Sequence, residues 1–312
     1  MNIEELKLLQ KSFIEKNNRV KKKSKKILFI LWAITISIIL FLIKNVFLTI
    51  FIGFVVCFFE FVITLIITSH KLYKSIGNDL EIFRKNYKKF FVLTTIQNNF
   101  DDVIYNSDKG FEKSFIDSIG MMKTGDRYYS NDHICARYRN TKFAQSDITI
   151  KEQHEEKDEN GETKVVWETI FCGQLIIFDF NKKFKTNIQV SSAGFMADTL
   201  PDNKSFTTIV TESSEFNNNF TVYTENEHDA FYLLTPHFMG RLNSLYKKFN
   251  ASIMFAFLDN KVYIAIDTRD DKLEVDPFTP IDEGNIIEKI QNDLVPIVEL
   301  IDEINANNEI FN

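Results

Sequence analysis

Cysteine is scarce, three residues in 312, at Cys57, Cys135 and Cys172. That excludes a disulfide framework and a paired-cysteine zinc ribbon. Glycine (10) and proline (5) are too few for collagen-like or low-complexity architecture. The glycines beyond the first third of the chain form neither GxGxxG nor GxxxxGKS/T, so phosphate-binding loops of those kinds are absent. GxSxG and HExxH are missing too, which removes the common hydrolase elbow and the zincin reading. Basic charge is short after residue 92: residues 1–92 carry a net +10 and the remainder −16, for −6 overall. An acidic carboxyl-terminal part argues against nucleic acid as a partner.

Apolar character, by contrast, is plentiful and concentrated. Residues 27–43 form a 17-residue run broken only by Thr35 and Ser37, and residues 46–68 a 23-residue run whose sole charge is Glu60. At about 1.5 Å per residue these lengths approach a hydrocarbon core of about 30 Å, and the pattern predicts a transmembrane hairpin turned at Lys44 and Asn45. A cleaved signal peptide fits less well, since the first run exceeds a usual h-region of about 7 to 15 residues and a second run follows at once. Residues 1–26 hold nine Lys+Arg against three acids, and residues 69–92 six against two. Positive flanks stay inside, so both termini are expected to be cytoplasmic, at the cell membrane, with the lipid bilayer held through the hairpin and its basic flanks. Cys135 and Cys172 would then face a reducing compartment. Glu60 is the intramembrane charge. Folding about residues 44/45 sets it near Lys26, and a structural clamp is favoured over ion or proton transport, because two helices alone leave no pathway.

The layout divides into a basic segment 1–26, the hairpin 27–68, a juxtamembrane helical stalk 69–127 and a cytosolic domain 128–312. A break is expected at Gly77-Asn78, then an amphipathic helix with Leu80, Phe83, Tyr87, Phe90 and Phe91 on one stripe. Phe111, Phe115, Ile119 and Met122 suggest a second short helix, capped by Ser107 or Asp108 and ended before Gly125. From about His133 to Val190 the period becomes strand-like. Asn160-Gly161 marks a hairpin tip, with strands expected on either side of Cys172-Gly173. Phe220–Tyr223 reads as a further strand. Thr235-Pro236 opens a helix carrying Phe238, Leu242, Leu245 and Phe249. Residues 252–258 and 261–267 form a hairpin about Asp259-Asn260, its first arm apolar on both faces and so buried on both. Residues 284–306 close the chain as a helix that Pro296 kinks or divides. The fold class is α+β, with antiparallel sheet and amphipathic helices.

The segment TESSEFNNNFTVYTENEHDAFYLLTPHFMGRLNSL, residues 211–245, resembles an uncharacterised bacterial membrane-protein family, domain of unknown function three-one-three-seven. IFCGQLIIFDFNKKF (170–184) and FAFLDNKVYIAI (255–266) fit the same pattern, as does a two-helix hairpin before one soluble domain. The resemblance spans about Tyr128 to Asp267 and implies an architecture but no activity.

Several constellations offer chemistry. Glu212, Glu215 and Asn217 lie in a polar stretch before a strand, where they either cap a turn, the favoured reading, or present carboxylates to a partner. His133, Cys135 and Cys172 offer zinc ligands without a second spaced pair to complete a site. His228, Asp229 and His237 form a possible acid/base group better explained by solvation. Asp267, Asp270, Asp271, Glu274 and Asp276 suggest calcium but lack DxDxDG spacing, so a solvated loop is expected. No metal and no cofactor are predicted. The function expected is a membrane-anchored interaction or scaffold module with an unidentified protein partner; a membrane-tethered hydrolase is the alternative.

Overall fold

The computed structural model describes residues 2–42, 46–157, 163–180, 183–195, 206–274 and 276–305. Two compact units emerge, one of residues 1–90 with 275–283, the other of residues 91–274 with 284–312.

The first unit is a pair of long helices, α1 (Ile3–Leu42) and α2 (Val46–Tyr87). Phe13 meets Phe83, Lys16 meets Asp79 and Thr35 meets Glu60, the descending partner numbers of an antiparallel hairpin. Helix α2 runs unbroken through Gly77-Asn78, contrary to the expected break, because one glycine costs a helix only about 1 kcal/mol. Residues 276–283 strap onto the helices. Gln10 Nε2 donates to the Pro277 and Thr279 carbonyls at 3.1 and 2.7 Å, and Phe278 sets its ring edge-on to Phe13. Among the described residues no helix is long and apolar enough to cross a membrane. The turn 43–45 and, within the two helices, the side chains of residues 37–52, 54, 68, 69, 71–73, 75 and 76 lie outside the described set. The transmembrane hairpin expected from the two apolar runs is therefore not among the elements the fold establishes.

The chain passes into the second unit within a π-helical turn, Lys88–Leu93, followed by α3 (Thr94–Asn99). A helical stalk to residue 127 is corrected here: Asp101–Asn106 is strand β1, paired with β2 (Arg127–Tyr138). Its short, polar sequence hides it from period counting. Between them α4 (Lys113–Ile119) ends on left-handed Gly120, with Glu112 rather than Ser107 or Asp108 at its N-cap. Ile116, not Phe115, takes the buried side.

Strands β3 (Thr141–Lys157) and β4 (Thr163–Asp179) form a long hairpin, whose tip at 158–162 lies outside the described residues. Strand β4 passes straight through Cys172-Gly173, so the two strands expected there are one. Gly173 serves close approach to the neighbouring strand, since a Cβ would lie 1.9 Å from the Ile266 carbonyl oxygen. Then follow β5 (Ile188–Ser192), β6 (Thr207–Ile209), α5 (Ser214–Asn219), β7 (Phe220–Thr224), α6 (Glu227–Leu233), α7 (Pro236–Phe249), β8 (Ser252–Leu258), β9 (Lys261–Asp267) and α8 (Glu283–Asn305). The nine strands make one antiparallel sheet in the order β1-β2-β3-β4-β9-β8-β5-β7-β6.

Both faces of the central strands are buried, as the β8 pattern predicts. One face sets Ile148, Leu175, Ile177 and Met254 against Ile116 and Ile119 of α4. On the other, Phe238 of α7 meets Phe257 at 5.8 Å between ring centroids. The Thr235 hydroxyl accepts from Phe238 N at 3.3 Å with Pro236 at the first helical position, so α7 starts where the sequence places it. Pro296 lies inside α8 without dividing it.

Candidate functional site

Where β2 pairs with β3, Asn131 stands opposite Asp147 but Ile134 stands opposite Gln145, so β2 carries one extra residue. This bulge sets Asp132 in the left-handed region at φ 51°, fully enclosed. Tyr105 of β1 donates its hydroxyl to Asp132 Oδ1, and Asn131 Nδ2 donates to Oδ2 at 2.8 Å.

Asp147 lies in mid-strand on β3, 2 % exposed, directly across from Gln174 of β4. Alternation puts it on the same face as Gln145 and Thr149, a short polar band within an apolar strand. Neither Asp147 oxygen accepts a hydrogen bond, and the Gln174 amide nitrogen opposite also lacks a partner. The third contribution comes from the loop after β9. Asp267 Oδ1 accepts from Cys172 N at 3.2 Å and from Arg269 N at 3.3 Å, while its Oδ2 pairs with the Arg269 guanidinium at 3.1 Å. That anchorage, with Arg269 at φ 56°, turns the loop back so that carboxylate oxygens of Asp271, Glu274 and Asp132 lie within 4.8 Å of one another.

Burial pushes the Asp147 carboxyl well above the ordinary carboxylate range, and the Asp132 and Asp271 charges push it further. Burial, then the Asp132 charge, likewise raises the Tyr105 hydroxyl, which stays a proton donor. Carboxylates of Asp132, Asp271 and Glu274, from two separate stretches of chain, thus gather in an oxygen-only set, with the buried Asp147 near enough to feel the Asp132 and Asp271 charges, and oxygen is the donor that hard divalent cations take.

The remaining predicted residues do not join them. Glu212 is exposed, and Glu215 forms an exposed pair with Lys247 at 2.6 Å. Asn217 ties the turn: its Oδ1 accepts from Thr211 N at 3.0 Å and its Nδ2 donates to Thr211 O at 2.7 Å. Glu60 takes a hydrogen bond from Thr35 Oγ1 at 2.6 Å in place of the expected Lys26. The helices are offset from a simple fold about residues 44/45, which moves the partner from Lys26 to Thr35. His133 Nδ1 lies 2.7 Å from Ser146 Oγ and its Nε2 3.1 Å from Cys135 Sγ, whereas Cys172 sits beside Thr149, so no zinc triad assembles. Asp229 accepts from Thr186 and His237 from Arg241, each in its own setting. The solvated-loop expectation suits Asp270 and Asp276, both exposed, but not Asp271 and Glu274.

Asp132, Asp147 and Tyr105 escape the sequence reading. The one available signal is an acid in the middle of an apolar strand, Gln145-Ser146-Asp147-Ile148, where solvation cannot be the explanation.

The fold and cluster define an α+β domain built on one antiparallel sheet. Residues 169–306, from β4 to α8, match the family described as "Protein of unknown function (DUF3137)", which bears out the resemblance from residue 169 on and carries it past Asp267, while the match reaches neither residues 128–168 nor the hairpin. No curated protein matches the chain. Among solved structures, the mycobacterial trehalose monomycolate transport factor A, TtfA, is similar over 68 % of this chain and 97 % of its own, at 8 % identity and a TM-score of 0.36.

Proposed function

We propose that this chain is a membrane-anchored interaction or scaffold module, with the α1/α2 hairpin held in a lipid bilayer and both termini on the cytoplasmic face. The observation that carries this reading is a belt of outward-facing apolar side chains. Phe29, Ile30 and Ile34 on α1, and Phe58, Phe59 and Ile66 on α2, are each more than half exposed. The Thr35–Glu60 contact puts these stretches at a common level of the hairpin. In water such a surface is unfavourable by about 25 cal/mol per Å², whereas lipid removes the penalty. Lysines 21–23, 25 and 26 before the belt suit anionic headgroups.

Two features favour binding over hydrolysis. Among the described residues the sheet ends in β1 and β6, and Ile104 on β1 is 68 % exposed, which suits strand addition by a protein partner at that edge. The cavity of about 340 Å³ beside His228 and Asp229 is walled by Phe180, Phe184 and Tyr232, with no serine, threonine or cysteine among its described lining residues.

The test is fractionation of cells producing the full chain. Anchoring predicts that it stays with membranes through alkaline carbonate and leaves only with detergent. Release by carbonate overturns the anchor, and digestion of the sheet unit by protease added outside intact cells overturns the orientation.

A further inference from the structure

We infer that Asp132, Asp147, Asp271 and Glu274 bind a hard divalent cation, with calcium preferred to magnesium. Acidic residues that merely share a surface need no ion, because water screens them. Asp147 has no such recourse: it is 2 % exposed, in mid-strand, and neither of its oxygens accepts a hydrogen bond. Buried polar groups nearly always find partners, and a buried carboxylate without one is among the costliest arrangements a fold can hold. Gln174 stands directly across the strand pair, and its amide nitrogen also lacks a hydrogen-bond partner. A cation bound by Asp147 and its neighbours satisfies the carboxylate and offsets the negative charge of the group in one step.

The β2 bulge and the loop after β9 bring Asp132, Asp271 and Glu274 together, and Asp132 and Asp271 act on Asp147 at the centre of β3, so tertiary structure and not local sequence assembles the site. Tyr105 and Asn131 both donate to Asp132, fixing the orientation of one ligand as outer partners do at metal sites. The carboxylate oxygens of Asp132, Asp271 and Glu274 all lie within 4.8 Å of one another, inside the span of about 5 Å that calcium's opposite ligands take at bonds of about 2.3–2.6 Å. Magnesium dehydrates reluctantly and keeps several waters, which suits it less to a site that includes the enclosed Asp147. Nitrogen and sulfur are absent from the set, which disfavours zinc.

The experiment uses the full chain in detergent micelles, stripped with EDTA and titrated with calcium chloride against sodium chloride of equal ionic strength. At about 100 times Kd, calcium is expected to raise the Tm of the sheet unit by about 5–10 °C. Asp147→Asn keeps the shape and removes the buried charge. It should melt no lower than wild type without calcium and lose most of the calcium-induced rise. Asp271→Asn, on the less enclosed loop, should lose it as well and serves if the first variant fails to fold. No calcium-specific rise in wild type overturns the proposal, as does an undiminished rise in either folded variant. A rise with magnesium equal to that with calcium overturns the stated preference.

Discussion

The two units use phenylalanine in opposite ways. In the sheet unit Phe171, Phe178, Phe216, Phe238, Phe255 and Phe257 are wholly enclosed. In the hairpin Phe13 and Phe83 are enclosed beneath Phe278, while Phe29, Phe58 and Phe59 face outward. Helices α1 and α2 thus combine a packed base with an apolar belt, and the sheet unit hides its aromatics between layers. The same residue type serves two settings: it packs against protein in one region, and in the other it stands on the helix surface that the proposed anchor would set in lipid.

The comparison breaks most readily at Phe255. Its ring is enclosed in β8 and lies 6.3 Å from that of Phe220, so Phe255→Ala should cost about 3–5 kcal/mol, read by urea denaturation of the full chain in micelles. A loss under 1 kcal/mol would show that the sheet core is not packed as described.

A smaller effect sharpens the contrast in electrostatics. Burial raises the Asp293 carboxyl on α8 from 3.8 to about 6, with Lys272 and Lys289 opposing the shift. The unfolded chain releases this proton above about pH 4 and the folded chain keeps it to about pH 6. The folded state therefore binds more protons in that window, and stability falls as pH rises through it. Asp293→Asn should flatten that part of the profile by roughly 1–2 kcal/mol, after allowance for partial exposure. An unchanged slope between pH 4 and 6 would assign the dependence to other groups.

The smallest effect is expected in the belt. Phe29 is 73 % exposed, so Phe29→Ala in micelles should change the stability of the hairpin by no more than about 0.5 kcal/mol. A loss above 2 kcal/mol, followed by hydrogen exchange in α1, would mean that the ring packs against protein.

Much of the fold was legible because periodicity and capping are local. Helix α7 begins at Thr235-Pro236, β8 and β9 turn at Asp259-Asn260, and the two apolar faces of β8 announce layers on both sides. Local rules failed where a neighbour decided. Gly77-Asn78 does not break α2, whose packing outweighs one glycine. Gly173 does not divide β4, because it answers the approach of β9. Strand β1 exists through its pairing with β2, although its own six residues carry little apolar pattern.

The site was the least legible part. Asp271 and Glu274 stand out in the sequence as acids without calcium-loop spacing, but no motif singles out Asp132 or Asp147. Their meeting depends on a bulge and on a loop more than a hundred residues further along the chain.

Composition and spacing by themselves determined the elements that depend on near neighbours: two long helices with apolar stretches, a basic flank, an antiparallel hairpin, a capped helix. Tertiary structure alone decided which acids share a site and which partner Glu60 takes. Contacts between distant segments follow from strand register and helix offset, and a shift of one residue in either would send the same side chains elsewhere.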